Sequence, residues 1–318
     1  MADVIRDVLM GKLFGTSGTP SSGSGGGGES GTTGMDALIA RTITEVESDV
    51  ESVGSYAFDK CSALTTAKFP KATSIGNDAF RNCTALAEAN FPAATSIGND
   101  AFNGCAALTT ADFPLATSIG NGMFNGCAAL TTVNFPLATS IGTYAFYEKD
   151  VALTTVIAPL TASIGDYAFG GCRRLKTANF PLAEEISNGA FSGCYALTTL
   201  DLLASQGINQ YAFNYCYVLT ALILRSETLC TLSNTNATTS CCHMLGTTHA
   251  TYNPDGLHDG YVYVPSALVA EYQAATNWSS LALQFRALED FTVDGTITGE
   301  LDADKVAAAD AAATETTE

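Results

Sequence analysis

The sequence predicts a repeat solenoid, an array of parallel strands with short helical or turn returns, and three observations carry that prediction. First, an Ala-Phe dipeptide, once Met-Phe, recurs with its aromatic ring at Phe58, Phe80, Phe102, Phe124, Phe146, Phe169, Phe191 and Phe213. The step is 22 residues, with one step of 23. Second, the same register carries Leu64, Leu86, Leu108, Leu130, Leu153, Leu175, Leu197 and Leu219. Before each Phe it also carries Val53, Ile75, Ile97, Ile119, Ile141, Ile164, Ile186 and Ile208. Third, a unit this short cannot bury its own Leu, Phe and Ile, so neighbouring units must cover them above and below. About eight coils follow, and parallel strands about 4.8 Å apart would stack them into a rod or arc roughly 40 Å long.

Within one coil the elements can be taken in order. From Thr110 the segment Leu108 to Phe113 alternates polar and apolar residues, the period of a half-buried strand, and Pro114 ends its ladder. The run Ala116 to Gly120 is short and turns at glycine, and Asn121 to Cys127 has room for one or two helical turns. Each coil therefore reads as strand, corner and return. The extra residue falls in Tyr147 to Val151, where Glu148-Lys149-Asp150 replaces the usual Gly-Cys corner, and reads as a surface bulge on the fifth coil.

Length alone, 318 residues at 47% apolar, suggests two domains. Repetition overrides this, because a solenoid lengthens without splitting. Acids outnumber bases 32 to 14, and the net charge of -18 argues against a phosphate backbone as partner. No stretch approaches the roughly 18 uninterrupted apolar residues of a membrane-spanning helix, which argues against membrane insertion. Met1 to Phe14 carries acids among its apolar residues where a secretory leader needs a clean apolar run, so neither a classical signal peptide nor an anchor is read.

The pattern Ser-Ile-Gly-x-x-Ala-Phe-x-Gly-Cys-x-x-Leu-Thr-Thr-x-x-Phe-Pro, seen at Ser96 to Pro114, resembles the BspA-type branch of bacterial leucine-rich repeats. The resemblance covers about residues 38 to 225. The segment Val262 to Leu268, with Tyr272, Asn277-Trp278 and Ala287 to Glu289, is similar to the module that closes such arrays. The family implies a leucine-rich-repeat solenoid whose surface serves adhesion or recognition, with no particular ligand.

Seven cysteines, Cys61, Cys83, Cys105, Cys127, Cys172, Cys194 and Cys216, share one repeat position and must form a column. They read as buried thiols packed as small hydrophobes. An odd number argues against pairing, and no histidine or carboxylate accompanies them for a metal. Cys230, Cys241, Cys242, His243, His249 and His258 fall together in a nonrepetitive stretch. There a disulfide, a metal set or an ordinary polar insertion stay open, though the paired Cys-x2-Cys spacing usual for zinc is absent.

No phosphate-binding loop, dinucleotide-binding glycine motif, His-Glu-x-x-His or nucleophile elbow occurs. The carboxylate pairs Glu184-Glu185 and Asp49/Glu51 sit at variable repeat positions, where solvated charge is the ordinary role. The chain therefore reads as non-enzymatic and without a cofactor. The strand side chains flanking the buried Ala and Phe should point outward on the concave side, giving a threonine ladder beside a varying column. That column, Lys68, Asn90, Asp112, Asn134, Ile157, Asn179, Asp201 and Ile223, is the candidate binding surface. Threonine favours strands for its own reasons, so recognition is assigned to the varying column.

The ends read differently. Val4, Ile5, Val8 and Leu9 form one helical stripe in residues 1–14, a docking peptide whose partner is unidentified, unless residues 1–34 are a disordered leader. Residues 15–34 hold nine glycines in twenty, a flexible tether with a mean reach of about 25 Å. Residues 35–225 are the solenoid, opened by a cap coil, and 226–289 an insertion and C-terminal cap. Residues 290–318 are an acidic flexible tail that solvates. Peptide, tether and array together resemble the way phage virion accessory proteins display a receptor-binding module. The expected function is recognition or adhesion toward a protein or glycan on a cell surface, from a virion or by another extracellular route. The alternative is a structural part that uses the array as a spacer or self-assembling unit.

Overall fold

The computed structural model describes residues 42–148, 152–204, 207–232, 261–278, 281, 284–296 and 301–308. The peptide and linker read at 1–34 lie outside these, as do Cys241, Cys242, His243, His249 and His258.

The chain winds as a parallel solenoid. Its main face carries the strands Glu45–Glu47, Thr66–Lys68, Glu88–Asn90, Thr110–Asp112, Thr132–Asn134, Thr155–Ile157, Thr177–Phe180, Thr199–Leu202 and Ala221–Leu224. These are the eight coils of the repeat plus one cap coil. Pairing sets equivalent repeat positions side by side, as in Thr66↔Glu88, Thr110↔Thr132 and Thr199↔Ala221. The cap strands Tyr261–Val264 and Phe285–Ala287 extend the same sheet. A second narrow face is built from two-residue strands such as Ser74–Ile75 and Ser163–Ile164, whose isoleucines point inward.

The third side differs from the helical turn the repeat length allows. In the first coil Ala57, Asp59 and Cys61 donate to Gly54, Tyr56 and Phe58 within the turn. Tyr56, Phe58 and Lys60 donate to Asn77, Ala79 and Arg81 of the next coil, at 3.0, 2.7 and 2.7 Å. The alternation arises because two positions per coil are left-handed, Tyr56 (φ 60°) and Lys60 (φ 62°) here and Gly122 (φ 59°) and Gly126 (φ 75°) in the fourth coil. A left-handed residue every fourth position cannot continue an α-helix. Its backbone groups turn to the neighbouring coil instead.

Between the faces lie two aromatic columns. Phe58, Phe80, Phe102, Phe124 and Phe146 stack with centroids 5.0–5.8 Å apart and planes within 9°. Phe69, Phe91, Phe113 and Phe135 form the second column, meeting the first edge-on or tilted. The corners are tied by polar ladders: Asn77, Asn99 and Asn121 accept the backbone N–H of Asn99, Asn121 and Thr143 through their Oδ1 atoms at 2.9–3.0 Å. Threonine hydroxyls, such as those of Thr95, Thr131 and Thr198, donate to the carbonyl one coil back.

The cysteine column is buried as expected and has a further role. Cys83, Cys105, Cys127, Cys172, Cys194 and Cys216 each donate a thiol hydrogen bond to the carbonyl of a core phenylalanine in the preceding coil, at 3.0–3.3 Å. Burial penalises the thiolate, pushing Cys127 up to about 12 and raising Cys83, Cys105, Cys172 and Cys194 as well. In the unfolded chain these thiols ionise near 9.0, whereas in the fold they keep their protons. The unfolded state thus binds fewer protons above that pH. Stability is expected to be flat below about pH 8.5 and to fall above it, by about 1.4 kcal/mol per pH unit for each such thiol. Guanidinium midpoints between pH 7 and 10.5 check this, and Cys127→Ala should make the decline shallower. Iodoacetamide at pH 8 should leave these six cysteines unlabelled until the protein unfolds.

The closing module packs Tyr272, Trp278 and Phe285 against one another, with centroids 5.0–5.7 Å apart. It grips the backbone of buried Cys230, whose N–H donates to Tyr272 Oη at 2.8 Å and whose carbonyl accepts from Trp278 Nε1 at 3.0 Å. The expectation of a solvating tail from residue 290 needs correction for its first part. Thr292 bridges Leu301, and Phe291, Leu301 and Val306 pack on a second apolar cluster of Ala221, Ile223, Tyr261, Tyr263 and Leu288. Apolar side chains at intervals among the acids give this segment a face to bury.

Candidate recognition site

The varying column lies along the main face in one line, because the register places equivalent residues of successive coils side by side. Its members do not share one environment. Lys68 reaches Glu88 of the next coil at 3.5 Å, and Asn134 donates its amide to Asp112 Oδ1 at 2.8 Å. Asn90 and Asn179 are exposed, and Ile157 is 45% exposed. None of these six is buried, although Asp112 and Asn134 are engaged with each other and Lys68 with Glu88.

Asp201 and Ile223 do not. Ile223 is 2% exposed beneath the C-terminal segment, and Asp201 is 8% exposed. Arg225 binds Asp201 in two-pronged fashion, Nε to Oδ1 at 2.6 Å and Nη2 to Oδ2 at 2.7 Å. The column therefore ends where the last coils are covered. That cover is the part the repeat pattern could not reveal, since it comes from residues beyond the array.

The covered end opens into a recess of about 780 Å³. Thr177, Asn179, Thr199 and the Asp201–Arg225 pair contribute polar groups, while Pro181, Leu182, Leu203 and Leu301 supply apolar wall. The volume falls within the usual range of small-ligand or side-chain pockets, which are mostly apolar with a few placed polar groups. Asp294 adds charge nearby: the N–H and hydroxyl of Thr296 hold its carboxyl below the ordinary value, and attraction to Arg225 adds to this. Reading the column located Asn179 and Asp201 but missed Arg225, Ser226, Glu227 and Leu301. The available signal was Arg225 immediately after the last repeat strand, one coil on from Asp201 and two residues beyond its register partner Ile223.

The sequence model of the family described as BspA type Leucine rich repeat region matches residues 40–152 and 139–245, with six copies. The chain belongs to that family. Among solved structures it is similar to a leucine-rich repeat protein of T. pallidum, at 26% identity, covering 42% of this chain and 72% of that one, with a TM-score of 0.35. It is also similar to a leucine rich cell surface protein of Faecalibacterium prausnitzii A2-165, at 20% identity over 77% of this chain and 78% of that one, TM-score 0.41. A leucine-rich repeat protein of Bacteroides ovatus ATCC 8483 matches at 20% identity, covering 78% and 84%, TM-score 0.36. No curated protein matches. Among the described residues no helix is long and apolar enough to cross a membrane.

The backbone of the face is held by pairing between coils, as where Asn90 lies opposite Lys68 and Asn179 opposite Asp201.

Proposed function

We propose that this BspA-type repeat protein is a non-catalytic recognition module that binds a protein or glycan of a cell surface through its main strand face. The contact centres on the recess between Asn179 and Arg225. The observation that supports this reading most is the recess itself, in which a fixed guanidinium–carboxylate pair and exposed amide and hydroxyl groups stand beside apolar wall. Such a mixture suits a hydrogen-bonding partner that also buries one apolar group, and the upstream column, Lys68 to Ile157, extends the contact along the array.

The test compares the full chain with Asn179→Arg, which fills the recess from an exposed position and leaves the core untouched. Binding is measured to whole cells and to a glycan array. A 10-fold or greater loss is expected at an unchanged melting temperature. Equal binding by both proteins would place the contact elsewhere. Binding to nothing but its own copies, read by sedimentation, would make the array a spacer or self-assembling unit.

A further inference from the structure

The run of turns, away from the strand face, carries a second surface. Tyr144 and Tyr167 occupy the same turn position in consecutive coils, and their rings stack with centroids 5.6 Å apart and planes within 8°. Tyr147 stands edge-on to both, at 5.2 Å and 83° from Tyr144 and 6.3 Å and 89° from Tyr167. Tyr144 is 43% exposed. We propose that this cluster is a carbohydrate-binding shelf, which takes the flat C–H face of a neutral pyranose unit against the ring of Tyr144.

Backbone conformation is the first support. Tyr144 and Tyr167 are left-handed, with φ of 56° and 50°. The position is left-handed in every coil, held by Tyr56, Asp78, Asp100, Gly122, Gly189 and Tyr211 elsewhere, and Tyr144 and Tyr167 are the two tyrosines that occupy it in consecutive coils. Glycine and aspartate tolerate the conformation better than tyrosine. The turn ladder needs no aromatic ring here, since Gly122 and Gly189 make the same bonds to the next coil. Strained side chains that the fold does not require concentrate at binding sites.

Shape is the second. A β-carbon on Gly170 would lie 2.7 Å from Tyr147 Cδ2, and one on Gly189 would collide with the ring of Tyr167. Both rings thus rest on bare backbone of the following coil. One face of Tyr144 stacks on Tyr167, and the equivalent residue of the preceding coil is Gly122, which carries no side chain of its own. Asp100 extends over Gly122 and accepts a hydrogen bond from the amide of Asn103 at 2.7 Å, which puts a carboxylate and an amide on the same run of turns.

An aromatic face is negative and attracts the weakly positive C–H groups of a sugar ring, while hydroxyls at its rim need acceptors and donors. The arrangement offers both. A proline-rich peptide needs grooves between rings, and rings 5.2–6.3 Å apart leave none. Asp100, with Glu148 and Asp166 next to Tyr147 and Tyr167 in sequence, makes the surroundings anionic and favours neutral over acidic glycans.

Affinity electrophoresis of the full chain in gels containing mixed-linkage β-glucan, α-mannan or arabinogalactan tests this, with polygalacturonate as the acidic comparison. Retardation by at least one neutral polymer is expected and none by polygalacturonate. Tyr144→Gly, which installs the residue of the preceding coil, should lose at least 10-fold in affinity with an equal or higher melting temperature. Asn179→Arg should bind these polymers as the unaltered chain does, which separates this shelf from the strand-face site. No retardation by any neutral polymer would overturn the proposal. So would unchanged binding by Tyr144→Gly, a drop in its melting temperature that accounts for the lost binding, or preference for a proline-rich peptide.

Discussion

Phe102→Ala is expected to destabilise the protein by about 3–5 kcal/mol, the range for removing a fully buried phenylalanine. Phe102 is 0% exposed and touches four other rings, Phe80, Phe91, Phe113 and Phe124, at 5.3–5.8 Å. Coils on both sides hold the space open, so the site cannot collapse around the smaller side chain. Because each coil interacts only with its neighbours, the defect should also uncouple the two halves of the array. The single tryptophan, Trp278 in the closing module, reports on the C-terminal half, and circular dichroism reports on the whole. In guanidinium the two probes should coincide for the unaltered chain and separate for the variant. A loss below about 1.5 kcal/mol with coincident transitions would show that the columns repack more freely than their stacking implies.

Arg225→Ala should cost about 3 kcal/mol, at the lower end of the range for stranding one member of a buried ion pair. The side chains of Arg225 and Asp201 are 10% and 11% exposed, so Asp201 would keep its charge with little water to stabilise it. The same change removes a wall of the recess and should abolish binding at the strand face. Asp201→Leu combined with Arg225→Met separates the two effects. It should recover most of the stability, because an apolar pair of similar volume replaces a desolvated charge pair, yet leave binding lost. If the double variant remains as unstable as Arg225→Ala, the guanidinium's other contacts matter more than its bond to Asp201. Thermal and urea unfolding give the first quantity and cell binding the second.

The array was legible because its information is repeated. Phe58 to Phe213, the leucine column and the isoleucine column each state the same inward position several times, and the structure buries them all. The returns, expected as short helical or turn segments, are runs of turns, and length alone does not distinguish the two. The distinguishing feature is the left-handed backbone of the turns, at which glycine at 104, 122, 126, 171, 189 and 193 hints, while tyrosine, aspartate, asparagine and lysine fill the same positions elsewhere. The candidate site was half legible for a related reason. Strand alternation places Asn90, Asp112 and Asn179 outward without knowledge of anything else. Whether such a residue stays exposed depends on chain beyond the repeats: Ile223 lies in a cluster on which Leu301 and Val306 pack, and Asp201 is held by Arg225, which follows the last repeat strand. The asparagine ladder of Asn77, Asn99 and Asn121 was visible as recurrence, but recurrence alone does not tell a hydrogen-bonding role from a solvent-facing one.

The direction of the bonds between coils has a mechanical meaning. Strand bonds, the bonds of alternate turn residues and the asparagine and threonine ladders connect one coil to the next, so they run along the axis of the solenoid. A load applied to its two ends therefore pulls these bonds in tension and opens them a coil at a time, rather than shearing a whole sheet at once. Each coil of 22 residues released in this way lengthens the molecule by about 70 Å, given about 3.4 Å per extended residue against a stacking distance of about 4.8 Å. A protein held at one end and attached to a moving surface at the other would yield by stepwise paying-out of chain, limiting the force that reaches its contact, and would rewind when the load is removed.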